Sequence, residues 1–155
     1  MKSRRDMLAT SFKVATLLAG VGMLANPARA QAAAYNTAAF EAKTMADLMK
    51  ALGASTPTES KDVTLTGPDI AENGAVVPVA AATSLPGVKR MLVLVEKNPS
   101  VLAAAFDVSD AIEANFSTRV KMGQTSNVYA VALMNDGKAL FAQKEIKVTL
   151  GGCGG

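Results

Sequence analysis

The chain has 155 residues, half of them hydrophobic and only 5% aromatic, with one cysteine, no histidine and a formal net charge of +3. The missing histidines remove the commonest general base, thiol activator and transition-metal ligand, and a single cysteine leaves no zinc, copper or haem ligand set. No glycine-rich loop opens a helix in phosphate-cradling form, so nothing points to a nucleotide cofactor.

The first predicted element is a targeting segment. "MKSRRDMLATSFKVATLLAGVGMLANPARA" has a basic start, an apolar stretch from Phe12 to Ala25 and Ala28-Arg29-Ala30 as a small-x-small cleavage site. These are the parts of an export signal, and the apolar run is too short and too rich in small residues to serve well as a membrane anchor. Ser3-Arg4-Arg5-Asp6-Met7-Leu8 resembles a twin-arginine signal, with Met7 where phenylalanine is usual. That type serves proteins exported already folded, and the alternative is an ordinary secretory signal that happens to have adjacent arginines. Residues 1–30 carry five of the 16 basic residues (Lys2, Arg4, Arg5, Lys13, Arg29) and one of the 13 acidic ones (Asp6), leaving 11 against 12 and a net charge of −1. With no basic stripe interleaved with aromatics, nucleic acid is excluded as an expected partner.

Residues 31–150 read as one domain. Asn36 or Thr37 can cap a helix in which Met45, Leu48, Met49 and Leu52 recur at helical spacing and Gly53 ends the run. From Lys61 the pattern changes to short β-rich runs: "KDVTLTGPD", "GAVVPVAAAT", "VKRMLVLVEK", "SVLAAAFDV", "FSTRVKMG", "NVYAVALM" and "ALFAQKEIKVTL". Pro78 suits an edge strand or a bulge, and "VKRMLVLVEK" is apolar on both faces and reads as central. "DVSDAIEAN" fits a turn of helix between strands, and Asn135-Asp136-Gly137 is a hairpin turn. The predicted fold is therefore mainly β, an immunoglobulin-like sandwich of about seven strands preceded by one helix. "MLVLVEK" and "VYAVALM" offer more apolar strand than one thin sandwich readily buries, which predicts association with another chain through exposed sheet or helix surface.

The last strand keeps Ile146, Val148 and Leu150 on one face, so the body is expected to be anchored through Leu150. Residues 151–155, Gly151-Gly152-Cys153-Gly154-Gly155, then form a predicted flexible arm, since glycine adds no Cβ and carries the largest backbone entropy. From Gly151 to Cys153 the arm extends on the order of 10 Å, enough to bring one sulfur into a partner's cleft. A thiol unpaired in an exported protein is either intermolecular or reactive. Self-activation is disfavoured, because the neighbouring terminal carboxylate opposes thiolate formation and no histidine assists. A catalytic thiol needs an electropositive pocket, so an enzyme is not expected.

The terminal glycine-flanked cysteine, the twin-arginine-like start and the helix-then-sandwich order together resemble SoxY, the sulfur-carrier subunit of the periplasmic sulfur-oxidising (Sox) system. "DVTLTGPDIAENGAVVPV", "VEKNPSVLAAAF", "STRVKMGQTSNVYAV" and "KEIKVTLGGCGG" carry the resemblance. It implies a non-catalytic carrier without cofactor or metal, paired with a second β-sandwich subunit, SoxZ. Cys153 is then the attachment atom, and Gly151, Gly152, Gly154 and Gly155 are the arm. The resemblance also implies three transient partners: a c-type haem enzyme that couples thiosulfate to the cysteine, a metal-dependent hydrolase that releases sulfate, and a molybdenum-haem enzyme that oxidises the remaining sulfur. Two alternatives stand beside it. One is an exported β-sandwich interaction module whose tail is incidental or a conjugation tag. The other is a ubiquitin-like sulfur carrier, which also ends in Gly-Gly but uses the terminal carboxyl and works in the cytoplasm.

Overall fold

A computed structural model of the chain describes residues 36–151. The predicted signal at residues 1–30, and Gly152, Cys153, Gly154 and Gly155, lie outside the described residues.

The helical segment precedes the sheets as the sequence predicts, divided into α1 (Thr37–Glu41) and α2 (Met45–Leu52). Asn36 caps α1 by accepting from the Ala39 N–H at 3.1 Å. The break follows from contacts distant in sequence: the Ser100 hydroxyl donates to the Phe40 carbonyl at 2.5 Å, and the Val101 N–H to the Ala42 carbonyl at 3.1 Å. With those carbonyls engaged by another loop, the helix restarts. Thr44 caps α2, accepting from the Asp47 N–H at 3.1 Å and donating to its carboxylate at 2.7 Å. Gly53 ends α2 at φ 65°, in the left-handed region where glycine has no Cβ penalty.

The seven predicted strands appear as β2 (Val63–Thr66), β4 (Val77–Thr83), β5 (Val88–Val95), β6 (Leu102–Asp107), β7 (Asn115–Val120), β8 (Ser126–Met134) and β9 (Ala139–Val148). Two further two-residue strands, β1 (Thr58–Glu59) and β3 (Ile70–Ala71), pair parallel with β9 at its two ends. They cover an edge that would otherwise present a long row of unpaired backbone groups. The sandwich sets a six-stranded sheet, ordered β1-β9-β8-β5-β6 with β3 also on β9, against a three-stranded sheet ordered β2-β4-β7. Pro78 lies in the central strand of the smaller sheet, yet beyond the last β2–β4 pair, Thr66↔Ala80. β4 is an edge at that point, and the missing N–H costs no ladder bond. "DVSDAIEAN" forms a turn at Asp110-Ala111, without a helix.

The large sheet buries both of its faces. Met91, Val93 and Val95 of β5, with Val128 and Ala130 of β8, pack against Val77, Val79, Ala81 and Val120 of the small sheet. Leu92, Leu94, Val131 and Leu133 face the other way and join Leu48 and Met49 of α2 in a second core. This explains the continuous apolar runs, and it changes the prediction drawn from them. The surplus apolar strand surface is covered by the chain's own helices, so it does not itself call for a second protein.

Candidate functional site

The predicted arm follows the end of β9, where the hydrogen-bonding partner changes residue by residue. Pairing with β8 ends at Ser126↔Ile146, and Ile146 is fully buried between the sheets. Beyond it the Lys147 N–H donates to the Asp69 carbonyl at 3.0 Å and the Val148 N–H to Thr125 Oγ1 at 3.0 Å. Thr149 donates twice, from its N–H to the Ala71 carbonyl at 3.1 Å and from its hydroxyl to the Glu72 carbonyl at 3.0 Å. The Leu150 carbonyl accepts from the Gly74 N–H at 2.7 Å. The root is therefore held by its own main-chain groups and the Thr149 hydroxyl, to the segment from Asp69 to Gly74 that includes β3 and to the Thr125 side chain of the β7–β8 loop.

This corrects the expected anchor. Leu150 continues the alternation, but β9 ends at Val148 and no strand of either sheet extends beneath it, so its side chain is 67% exposed. Among the described residues Ile146 is the last fully buried side chain, and the four residues after it are tied through the backbone.

Gly151 is the one predicted arm residue that the structure describes, and it is exposed. It nevertheless sits hard against another backbone, because a Cβ built on it would overlap the Gly123 carbonyl oxygen. Gly123 is itself braced. The Asn98 side chain donates to the Lys121 carbonyl at 2.7 Å and accepts from the Gly123 N–H at 3.4 Å, and the Met122 N–H donates to the Gly74 carbonyl at 2.7 Å. Gly74 thus joins the two sides of the root, donating to Leu150 and accepting from Met122. Nothing local in the sequence indicates that Gly74, Asn98, Gly123 and Thr125 converge on the end of β9.

One ion pair stiffens the approach. Lys144 Nζ lies 2.8 Å from Asp69 Oδ1 and donates to the Gly67 carbonyl at 2.6 Å. The Lys144 ammonium, by hydrogen bond and by charge, holds the Asp69 carboxyl below the usual carboxylate range. Among the described residues there is no cluster of histidine, cysteine, aspartate or glutamate able to hold a metal ion, and no helix long and apolar enough to cross a membrane. A groove of about 860 Å³ lies between α2 and the large sheet, lined in part by Met45, Met49, Tyr129 and Phe141, and it shares no residue with the root.

Among solved structures the chain is similar to the sulfur carrier protein SoxY from Chlorobium limicola f thiosulfatophilum. The two are 38% identical with a TM-score of 0.57, over 63% of this chain and 88% of that one. A superoxide reductase (neelaredoxin) from Ignicoccus hospitalis is 18% identical with a TM-score of 0.50, over 56% of this chain and 79% of that one, a likeness of fold alone. Comparison with curated proteins gives no match. The family model described as "Sulfur oxidation protein SoxY" matches residues 48–153, a span that begins inside α2, takes in all nine strands and ends on Cys153. With two thirds of its length matched, and the match running through the root to the cysteine, the chain belongs to the SoxY family of sulfur oxidation proteins.

Proposed function

We propose that the protein carries sulfur during thiosulfate oxidation, holding each intermediate on Cys153 and presenting it to successive enzymes of the Sox system. The observation that carries the reading is the family match ending on Cys153, immediately beyond a root whose backbone is tied from Lys147 to Leu150. It is supported by the relative from Chlorobium, itself described as a sulfur carrier protein.

In this reading the Cys153 thiolate and thiosulfate join through a new S–S bond, giving a protein-bound thiosulfonate as two electrons pass to the haem enzyme. Hydrolysis by the metal-dependent partner cleaves the bond to the sulfonate sulfur and releases it as sulfate, with the water supplying oxygen and protons. A persulfide stays on Cys153, and the molybdenum-haem enzyme oxidises its outer sulfur. The chain contributes an accessible sulfur on a narrow support, and activation of the thiol falls to the cleft that receives it. Glycines beside Cys153 add no side chain for that cleft to exclude. Export by the twin-arginine pathway would deliver the folded domain to the periplasm, where SoxZ is its proposed partner subunit.

The test is mass spectrometry of the purified protein after incubation with thiosulfate and the cognate haem enzyme. A thiosulfonate adduct is expected on Cys153. Cys153→Ser should abolish loading with no change in thermal stability, because Cys153 lies seven residues beyond Ile146, the last fully buried side chain among the described residues. Loading that survives in Cys153→Ser, or an adduct on the Gly155 carboxyl, would sink the reading.

A further inference from the structure

We infer that the contact between Gly151 and Gly123 is a guide that sets the direction in which the arm leaves the body, so that Gly151 is a positioning residue and not simply slack in the tether. The inference rests on the carrier reading above.

Three observations lead to it. First, the described glycines with positive φ are Gly53, Gly87 and Gly137, so Gly151 is not in the left-handed conformation that most often demands glycine. Its requirement is steric, because the Gly123 carbonyl oxygen occupies the place of a Cβ. Slack alone needs no such approach of one backbone to another. Second, neither side of the contact is free to move aside. Gly74 holds the Leu150 carbonyl, and Gly74 with Asn98 holds the Met122–Gly123 segment. Third, the tether is short. Of the roughly 10 Å that the three residues 151–153 can span, the two steps beyond Gly151 account for only about 7 Å, at roughly 3.3–3.6 Å per residue. Whatever rotation Gly152 allows, the sulfur stays within that reach of Gly151, so a turn at Gly151 shifts the region open to the sulfur by several ångströms relative to the body. Misplacing a reacting group by that much is enough to lower the rate of a positioned reaction substantially.

The direct test places a nitroxide on Cys153 and reads paramagnetic broadening of backbone amides by ¹⁵N NMR. In the parent protein the broadened amides should cluster on one side of the root. Gly151→Ala should move that set, and Gly152→Ala should leave it in place. Identical footprints for the parent protein and Gly151→Ala would overturn the inference. The functional arm of the test compares loading by the haem enzyme with labelling by iodoacetamide. Gly151→Ala should lower kcat/KM for loading about tenfold with labelling unchanged, and inserting two glycines after position 151 should restore it by letting the arm forget its starting direction. No recovery, or an equal loss in Gly152→Ala, would count against a guide and for a demand for thinness alone. Should Gly151→Ala fail to fold, Asn98→Ala loosens Gly123 without adding an atom at the root, and the footprint should broaden. An unchanged footprint there would again overturn the guide. A parent protein that is never loaded, with a footprint that still shifts in Gly151→Ala, would refute the carrier reading and leave the guide standing.

Discussion

At the scale of single residues, Ile146 and Leu150 separate core from root. Both lie on the same face of an alternating run, but one is fully buried and the other is 67% exposed. Ile146→Ala is expected to cost about 2–5 kcal/mol in urea unfolding, the usual range for removing a buried aliphatic side chain. Leu150→Ser should shift the same curve by no more than about 0.5 kcal/mol. A large loss from Leu150→Ser would mean that the body is anchored through that side chain after all. Thr44 provides another residue-scale test, since its side chain caps α2. Thr44→Ala should cost about 1 kcal/mol, and the loss should be visible in thermal unfolding without affecting the arm.

At the scale of elements, β9 collects the most consequences. Its edge is covered by β1 and β3, and the Asp69–Lys144 pair ties the segment before β3 to the strand. Because Asp69 has its folded pKa lowered, its contribution to stability is present above the ordinary carboxylate pKa and is lost as pH falls through the folded value. Asp69→Asn should therefore be less stable than the parent protein at neutral pH, with the two urea midpoints converging in acid. A gap that stays constant with pH would show that the carboxylate's charge is not involved. The elements also show what the sequence made legible. Seven strands were readable because alternation and turn residues are local signals, and Gly53 and the Asn135-Asp136-Gly137 turn were readable for the same reason. The division between α1 and α2 was not, since Ser100 and Val101 reach it from about 60 residues away. β1 and β3 are too short to show a period and exist only because β9 offers them an edge. Leu150 was misread because alternation continued past the point where the partner strand stopped. Cys153 and the glycines around it stood out by composition, whereas the support beneath Gly151 depends on loops that only folding brings together.

At the scale of the whole molecule, the large sheet is a middle layer with helices on one face and the small sheet on the other. Leu48 is fully buried on the helical side, so Leu48→Ala should destabilise the domain by about 2–5 kcal/mol. Sedimentation of the parent protein with and without a SoxZ-like subunit tests the proposed heterodimer separately, and a stable monomer indifferent to that subunit would count against it. The route from this layered body to the cysteine also has a mechanical consequence. Tension applied to the arm along β9 loads the β8–β9 ladder lengthwise, so its hydrogen bonds share the force and must yield together. A pull across the sheet would instead open them one after another. In the proposed carrier role, a partner that withdraws with the sulfur still engaged would meet greatest resistance along the strand axis, and release of its grip should come before unravelling of the body.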